Sequence, residues 1–136
     1  MQNAYICLML TIGIKGSAEL LVTENVTARE VGSGTVAVLA TPMMIALMEK
    51  TCLLSVRPFL EPGQDTVGTH VDVAHTAATP VGMRVRCESE LVEIDRRRLV
   101  FRVTARDEAG VVGEGTHTRF VIDIEKFQAK AGMRKS

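Results

Sequence analysis

A length of 136 residues and a mass of 14.8 kDa fit one domain, residues 1–136, that can bury a core without disulfides or metals. Sixteen Lys and Arg residues balance sixteen Asp and Glu residues, for a formal net charge of +0, which argues against nucleic acids or membrane surfaces as partners. The hydrophobic share of 46% excludes a disordered chain, and the aromatic share of only 4% argues against stacking on bases or sugars.

The first segment, residues 1–12, is interpreted as an N-terminal arm. Its apolar run, Tyr5–Ile14, is too short to cross a bilayer and lacks the basic residues and cleavage site of a secretory signal. Met9 is an alternative start, in which case residues 1–8 would be absent from the native protein.

The three cysteines lie far apart, and no pair shows the C-x-x-C spacing of a zinc or redox site. Cys7, Cys52 and Cys87 are therefore predicted to be free thiols in a reducing cytoplasm.

Alternating apolar residues predict a first strand over Ser17–Val26, and the run GSG at 32–34 then breaks the pattern. Helical periodicity extends from Thr41 to Leu60, with Thr41 as the predicted N-cap and Pro42 at the first helical position. The remaining predicted elements are strands over Thr66–Thr76, Met83–Ile94, Arg98–Arg106 and Val111–Ile124, and a short helix or tail over 125–136.

The predicted long helix is apolar over almost its whole circumference, with only Lys50 and Arg57 forming a narrow polar strip. Such a helix must be covered by a sheet, or by a sheet and a partner subunit. One long helix followed by four strands predicts an α+β fold in which the helix lies on an antiparallel sheet.

Glu49 departs from this pattern because it lies within the apolar sector of the helix, between Ile45 and Cys52 on one side and Leu53 on the other. A carboxylate there must find a partner, stay protonated or face a polar cavity, since burying it unpaired costs several kcal/mol. The alternative is a glutamate at the edge of that sector whose carboxylate reaches water.

His75 is the second candidate. The odd-numbered residues from Val67 to His75 are rich in Val and share the face expected to pack on the helix, toward Glu49. The even-numbered Gly68, His70 and Asp72 then point away. His70 and Asp72 therefore do not converge with His75 on a metal ion without a bend, and no metal site is expected. The alternative for His75 is an ordinary core histidine, and His117 in the Gly-rich last strand is a weaker candidate.

Thr41 completes a possible set. It precedes Glu49 by two helical turns, about 80° away around the axis and roughly 12 Å along it. Its simplest role is a helix cap, but a hydroxyl, a carboxylate and an imidazole near one apolar cleft would suit acyl transfer or hydrolysis. Gly68 offers a backbone N–H as a possible oxyanion donor.

Four segments resemble the fluoroacetyl-CoA thioesterase-like family: ATPMMIALME, VGTHVDVAHTAATPVGM, DRRRL and GEGTHTRF. The resemblance extends from about Gly13 to Lys130. It implies a single-domain acyl-CoA thioesterase of the hotdog fold, with a long central helix wrapped by an antiparallel sheet. It also implies a homodimer whose sheets pair edge to edge, with active sites near the interface, and leaves open whether two dimers stack into a tetramer.

Matched position by position, the resemblance places the family's catalytic residues at Thr41, Glu49 and His75. Its substrate-oriented glycine falls on Gly68, and Arg119 matches an arginine with a substrate-facing role. The reaction implied is hydrolysis of a small acyl-CoA to a carboxylate and free CoA, with Glu49 as nucleophile or general base. The CoA thioester is the substrate, and no cofactor is implied.

One feature of the family is missing. The fluoroacetyl-specific enzyme carries a phenylalanine gate before the threonine, whereas this chain reads GSGTVAVLA, with Thr35 near the matching place. A broader range of acyl groups is therefore expected. Two alternatives remain: another hotdog enzyme such as an enoyl-thioester hydratase, and a non-catalytic acyl-thioester binding protein, against which the match at the three candidate catalytic residues argues.

Overall fold

The structure, a computed structural model, describes residues 9–135. The hypotheses on residues 1–8, including Cys7, concern a segment outside the described residues. Within 9–135, none of the helices has the length and apolar character needed to span a bilayer.

Five antiparallel strands form one sheet in the order β1-β3-β4-β5-β2. The strands are β1 (Lys15–Leu21), β2 (Gln64–His75), β3 (Arg84–Asp95), β4 (Arg98–Asp107) and β5 (Gly110–Asp123). The helices are a single turn, α1 (Ala28–Val31), the long α2 (Thr41–Val56) and the C-terminal α3 (Ile124–Gly132). Because α2 contacts all five strands from one face, the predicted α+β arrangement is confirmed.

The core lies between α2 and the inner face of the sheet. Met44 and Met48 of α2 are buried with Leu99, Phe101 and Val103 of β4, each at most 1% exposed. Phe101 is the one fully buried Phe or Tyr among the residues described. The core is thus built mainly from aliphatic side chains and Met, as the composition predicts.

The predicted first strand extends too far. β1 ends at Leu21, which pairs with Arg84, the first residue of β3. Beyond Leu21 only Val22 stays bonded to this neighbour, through Met83 and Gly82. The chain then forms a 3₁₀ turn at Glu24–Val26 and then α1, which the sequence did not predict. Gly32 ends α1 in the left-handed conformation, with φ 91°, so the predicted break is in the right place.

The start of α2 also differs from the prediction. Ala40, not Thr41, is the N-cap, because its carbonyl accepts the first helical hydrogen bonds, from the N–H groups of Met43 and Met44. Thr41 is therefore the first helical residue, and its hydroxyl is available for another partner. The helix ends at Val56, and Pro58 lies in a 3₁₀ turn, so the predicted helical bounds include that turn.

The predicted alternation of β2 is wrong in its first half. The pairing with β5 shifts between Gly68 and His70, a β-bulge that inserts one residue into β2. Gly68, paired with Arg119, consequently faces α2 on the same side of the sheet as His75. The odd-position rule holds only after the bulge, from Val71 onward, and there it places His75 on the inner face as predicted.

One side of the molecule stays uncovered in the single chain. β2 is an edge strand, and its residues from Gly68 to Asp72 are all exposed. On the adjacent helix, Ala46 and Leu54 are exposed as well, so the polar strip predicted on α2 is bordered by apolar surface. The sheet alone does not cover the apolar circumference of the helix.

Candidate active site

Thr41 and His75 form the first part of the site. The Thr41 Oγ1 lies 2.7 Å from Nδ1 of His75, which joins the start of α2 to the end of β2. The His75 Nε2 is buried and has no hydrogen-bond partner within the described residues. Burial lowers the pKa of His75 below its ordinary value, and the Ala77 backbone offsets part of this effect, so the ring favours the neutral form that can exchange protons with Thr41.

This pair opens into a cavity of about 410 Å³. One wall is the segment from α1 to the start of α2, and the other is the end of β2 with the chain that follows it. The lining residues are Ala28, Ser33, Gly34, Val36, Val38, Leu39, Thr41, His75, Thr76, Ala77 and Ala78. They are small or aliphatic apart from His75. The cleft predicted from the sequence thus has the hydroxyl and the imidazole, whereas the carboxylate of Glu49, predicted beside the same cleft, is not among its lining residues.

Glu49 lies in a second group, two turns further along α2. Its side chain is 43% exposed, and its Oε2 lies 3.9 Å from Nη1 of the buried Arg119. An arginine of β5 thus supplies a partner, and the exposed fraction shows that the side chain also reaches water in the single chain, as the alternative prediction had it. Gly68 lies against the same carboxylate, since a Cβ added at this glycine would come within 2.7 Å of Oε2.

Arg119 is held rigidly by its neighbours. Its Nε donates to Oγ1 of Thr66 at 2.7 Å, and its Nη2 donates to the backbone carbonyl of the same residue at 2.9 Å. Its Nη1 lies 3.0 Å from Nε2 of His117, whose Nδ1 lies 2.8 Å from the carbonyl oxygen of His70. Burial lowers the pKa of Arg119, Glu49 offsets part of that shift, and the guanidinium stays charged because its ordinary pKa is so high.

The structure thus divides the predicted residues into two groups. Thr41 and His75 form one, and Glu49, Gly68 and Arg119 form the other. Thr41 and Glu49 are separated by about 12 Å of helix, and no hydrogen bond or ion pair joins the groups within residues 9–135. No cluster of three potential metal ligands occurs among the residues that the structure describes.

Thr66 was not predicted as a site residue, and His117 was predicted only as a weaker candidate. Thr66 carries no motif, and only the pairing of β2 with β5 brings it to Arg119. His117 shares the inner face of β5 with Arg119, two positions along the strand, and this alternation was the signal that could have linked them.

Comparison with known proteins identifies the chain. The family model of the fluoroacetyl-CoA-specific thioesterase matches residues 22–125, more than half of the sequence. The chain belongs to this family. Thioester hydrolysis is the family's activity, and the resemblance seen in the sequence is confirmed, as is the prediction that this protein is a thioester hydrolase.

Individual relatives agree with this assignment. The fluoroacetyl-CoA thioesterase of Streptantibioticus cattleyicolor is 48% identical over 93 residues, which cover 68% of this chain and 67% of that protein. A structure of a variant of the fluoroacetyl-CoA thioesterase FlK with acetyl-CoA has a TM-score of 0.89 and 36% identity, covering 93% of this chain and 100% of the other. A hot-dog-like protein from Thermanaerovibrio acidaminovorans, 18% identical, has a TM-score of 0.85 with 98% of both chains covered, which shows the fold. The predicted hotdog fold is confirmed.

Proposed function

We propose that this member of the thioesterase family hydrolyses small acyl-CoA thioesters, and that Thr41, Glu49 and His75 carry the reaction. The observation that carries the proposal is the 2.7 Å contact between the Thr41 hydroxyl and the His75 ring at the wall of an apolar cavity. In this position an acyl group fits the cavity, and the thioester lies at the start of α2, where the helix dipole favours a developing oxyanion.

The chemistry follows from the residues present. Glu49 acts as a general base that takes a proton from water, or as a nucleophile that attacks the thioester carbon itself and forms an anhydride that water then hydrolyses. The C–S bond breaks, the acyl carbon gains an oxygen, and the CoA sulfur leaves as a thiolate that takes up a proton. His75, neutral at rest and hydrogen-bonded to Thr41, is placed to relay the proton released by water, accepting it on one ring nitrogen and donating one to the thiolate from the other. Gly68 and Arg119 lie where Glu49 and the substrate carbonyl meet.

The separation of the two groups supports a dimer with shared sites. The exposed edge of β2 can pair antiparallel with the same strand of a second copy, which also covers exposed Leu54. A two-fold axis at Asp72 keeps inward-facing residues opposite each other, because facing residues in the regular part of β2 then have numbers that sum to 144. The one-residue bulge after Gly68 then brings Gly68 opposite the partner subunit's His75. Each complete site then combines Glu49 of one subunit with Thr41 and His75 of the other.

The oligomeric state tests this arrangement. We expect sedimentation equilibrium to give a dimer, or a tetramer built from two dimers. Replacing Val71, 39% exposed at the centre of the β2 edge, by Lys places two like charges beside the axis and is expected to shift the mass toward the monomer and abolish thioesterase activity. The matched control is Val81→Lys, at a position that is 42% exposed, lies away from this edge and does not line the cavity. A wild-type monomer with full activity would contradict the proposal.

Substrate range follows from the cavity. No aromatic side chain other than the His75 imidazole is among its lining residues, and Thr35 stands near the place of the relative's gate. We propose that acyl groups beyond fluoroacetyl are accepted, because nothing bulky closes the cavity around one small acyl chain.

An acyl-CoA panel tests both activity and range. Thiol release is followed with fluoroacetyl-, acetyl-, isobutyryl- and phenylacetyl-CoA, and we expect kcat/KM for acetyl-CoA within about tenfold of that for fluoroacetyl-CoA, a ratio worth about 1.4 kcal/mol. Thr35→Phe is expected to narrow the range toward the smallest acyl groups. Hydration of crotonyl-CoA without thiol release would show a hydratase instead, and tight binding without turnover would show a binding protein.

We propose a cytoplasmic location, supported by the free cysteines among the described residues. Cys52 and Cys87 are both buried and unpaired. Burial raises the pKa of Cys52 to about 12 and also raises that of Cys87, so both thiols stay protonated and inert in a reducing compartment.

A further inference from the structure

His117 is a buried titratable group to which the mechanism above gives no role. Its side chain lies on the inner face of β5 and is 1% exposed. Its Nδ1 lies 2.8 Å from the carbonyl oxygen of His70, which can only accept a hydrogen bond, so Nδ1 carries the proton. Its Nε2 is therefore an acceptor, and the group beside it, Nη1 of Arg119 at 3.0 Å, is a donor.

The same guanidinium nitrogen faces Glu49. Nη1 of Arg119 carries two N–H groups, of which one is directed to His117 and the other approaches the Glu49 carboxylate at 3.9 Å. The other side of the guanidinium is held twice by Thr66. The missing Cβ of Gly68 makes room for this arrangement, since a Cβ there would lie 3.0 Å from the His117 ring and 3.3 Å from Nη1.

We infer that His117 is a positioning residue, which sets the orientation of Glu49 for thioester hydrolysis by accepting a hydrogen bond from Arg119. This inference rests on the proposed role of Glu49. The bulge in β2 contributes to this arrangement, because His70, whose carbonyl fixes the tautomer of the His117 ring, immediately follows the register shift. Without the acceptor, Arg119 keeps its bonds to Thr66 but loses the contact that directs Nη1 toward the carboxylate.

The same geometry makes the contact between His117 and Arg119 sensitive to acid. A protonated His117 would turn an N–H toward the N–H of Arg119 and place two cations side by side. The charged or titratable groups that face the ring are Arg119 from β5, Glu49 from α2 and His70 from β2, while β4 presents the apolar Phe101. Burial is the main cause that lowers the pKa of His117, so the acceptor state persists through neutral pH and is lost only at acid pH.

Two substitutions distinguish the roles of the two ring nitrogens of His117. In His117→Gln the amide oxygen reaches the position of Nε2 and still accepts from Arg119, whereas in His117→Asn the amide nitrogen takes the position of Nδ1 and only the bond to the His70 carbonyl remains. We expect kcat to fall about 10²-fold in His117→Asn, in line with the cost of a misplaced catalytic group, and to stay within about tenfold of wild type in His117→Gln. The acid limb of the pH profile becomes shallower in His117→Gln, because Gln does not titrate.

Glu114→Gln, on the exposed face of the same strand, is the matched control and is expected to behave as wild type. Equal activity in both His117 variants, or equal losses that follow the melting temperature, would overturn the inference. A wild type that releases no thiol would instead refute the proposed function. In that case ring nitrogen NMR still decides the inference: neutral His117 must show the Nδ1–H tautomer, and Arg119→Gln must raise its pKa by removing the neighbouring cation.

Discussion

Glu49→Gln is expected to lower kcat by about 10²–10⁴-fold, the contribution typical of a general base. The substitution keeps the shape of the side chain and removes its charge and its ability to accept a proton. Since the Glu49 side chain is 43% exposed and Arg119 keeps its bonds to Thr66 and His117, we expect the fold not to depend on this charge. Thiol release under saturating acyl-CoA measures the effect.

The control for this variant is Lys50→Gln, which removes a charge from the next residue of α2 at an exposed position. We expect it to retain full kcat and the wild-type melting temperature. Glu49→Asp shortens the side chain and draws the carboxylate away from the reacting carbon, so its kcat is expected to lie between those of wild type and Glu49→Gln. Full turnover in Glu49→Gln would remove this residue from the mechanism.

Local sequence patterns predict most of the secondary structure because they report local interactions. The apolar helix after Thr41, the four later strands and the C-terminal helix lie within a few residues of their predicted bounds. The patterns do not predict that β2 lies at the edge beside β5, since strand order depends on long-range pairing. They also miss the bulge after Gly68, which depends on how β2 pairs with β5.

In the candidate site, too, local patterns indicate some residues, whereas others depend on long-range contacts. Glu49 and His75 became candidates because a charged or titratable residue is conspicuous in an apolar pattern, and His75 does contact Thr41. The role of Thr41 as N-cap was wrong because Ala40 supplies the capping carbonyl. The partner of Glu49 was not predictable from α2, since Arg119 lies seventy residues away and reaches it only through the fold.

His75→Ala is expected to lower kcat by a similar factor of about 10²–10⁴. In the wild type the neutral ring is needed, and burial lowers the pKa of His75. Activity therefore stays level as the pH falls toward the ordinary His value near 6.5 and declines only below it. The dependence of kcat/KM on pH checks this expectation. Thr41→Val is expected to lose activity, whereas Thr41→Ser keeps the hydroxyl beside Nδ1 and is expected to retain most of it.

Glu49→Gln and His75→Ala together distinguish a shared site from a site within one chain. The two variants are co-expressed with different tags, and the mixed dimer is purified. If each site takes Glu49 from one subunit and His75 from the other, one site of the mixed dimer carries both substitutions and the other carries neither, so about half of the wild-type activity returns. If both residues act within one chain, every site carries one substitution and the mixed dimer is as inactive as its parents. The 12 Å of helix between Thr41 and Glu49, about two turns, favours the first result, because side chains that far apart do not reach the same thioester carbon within one subunit.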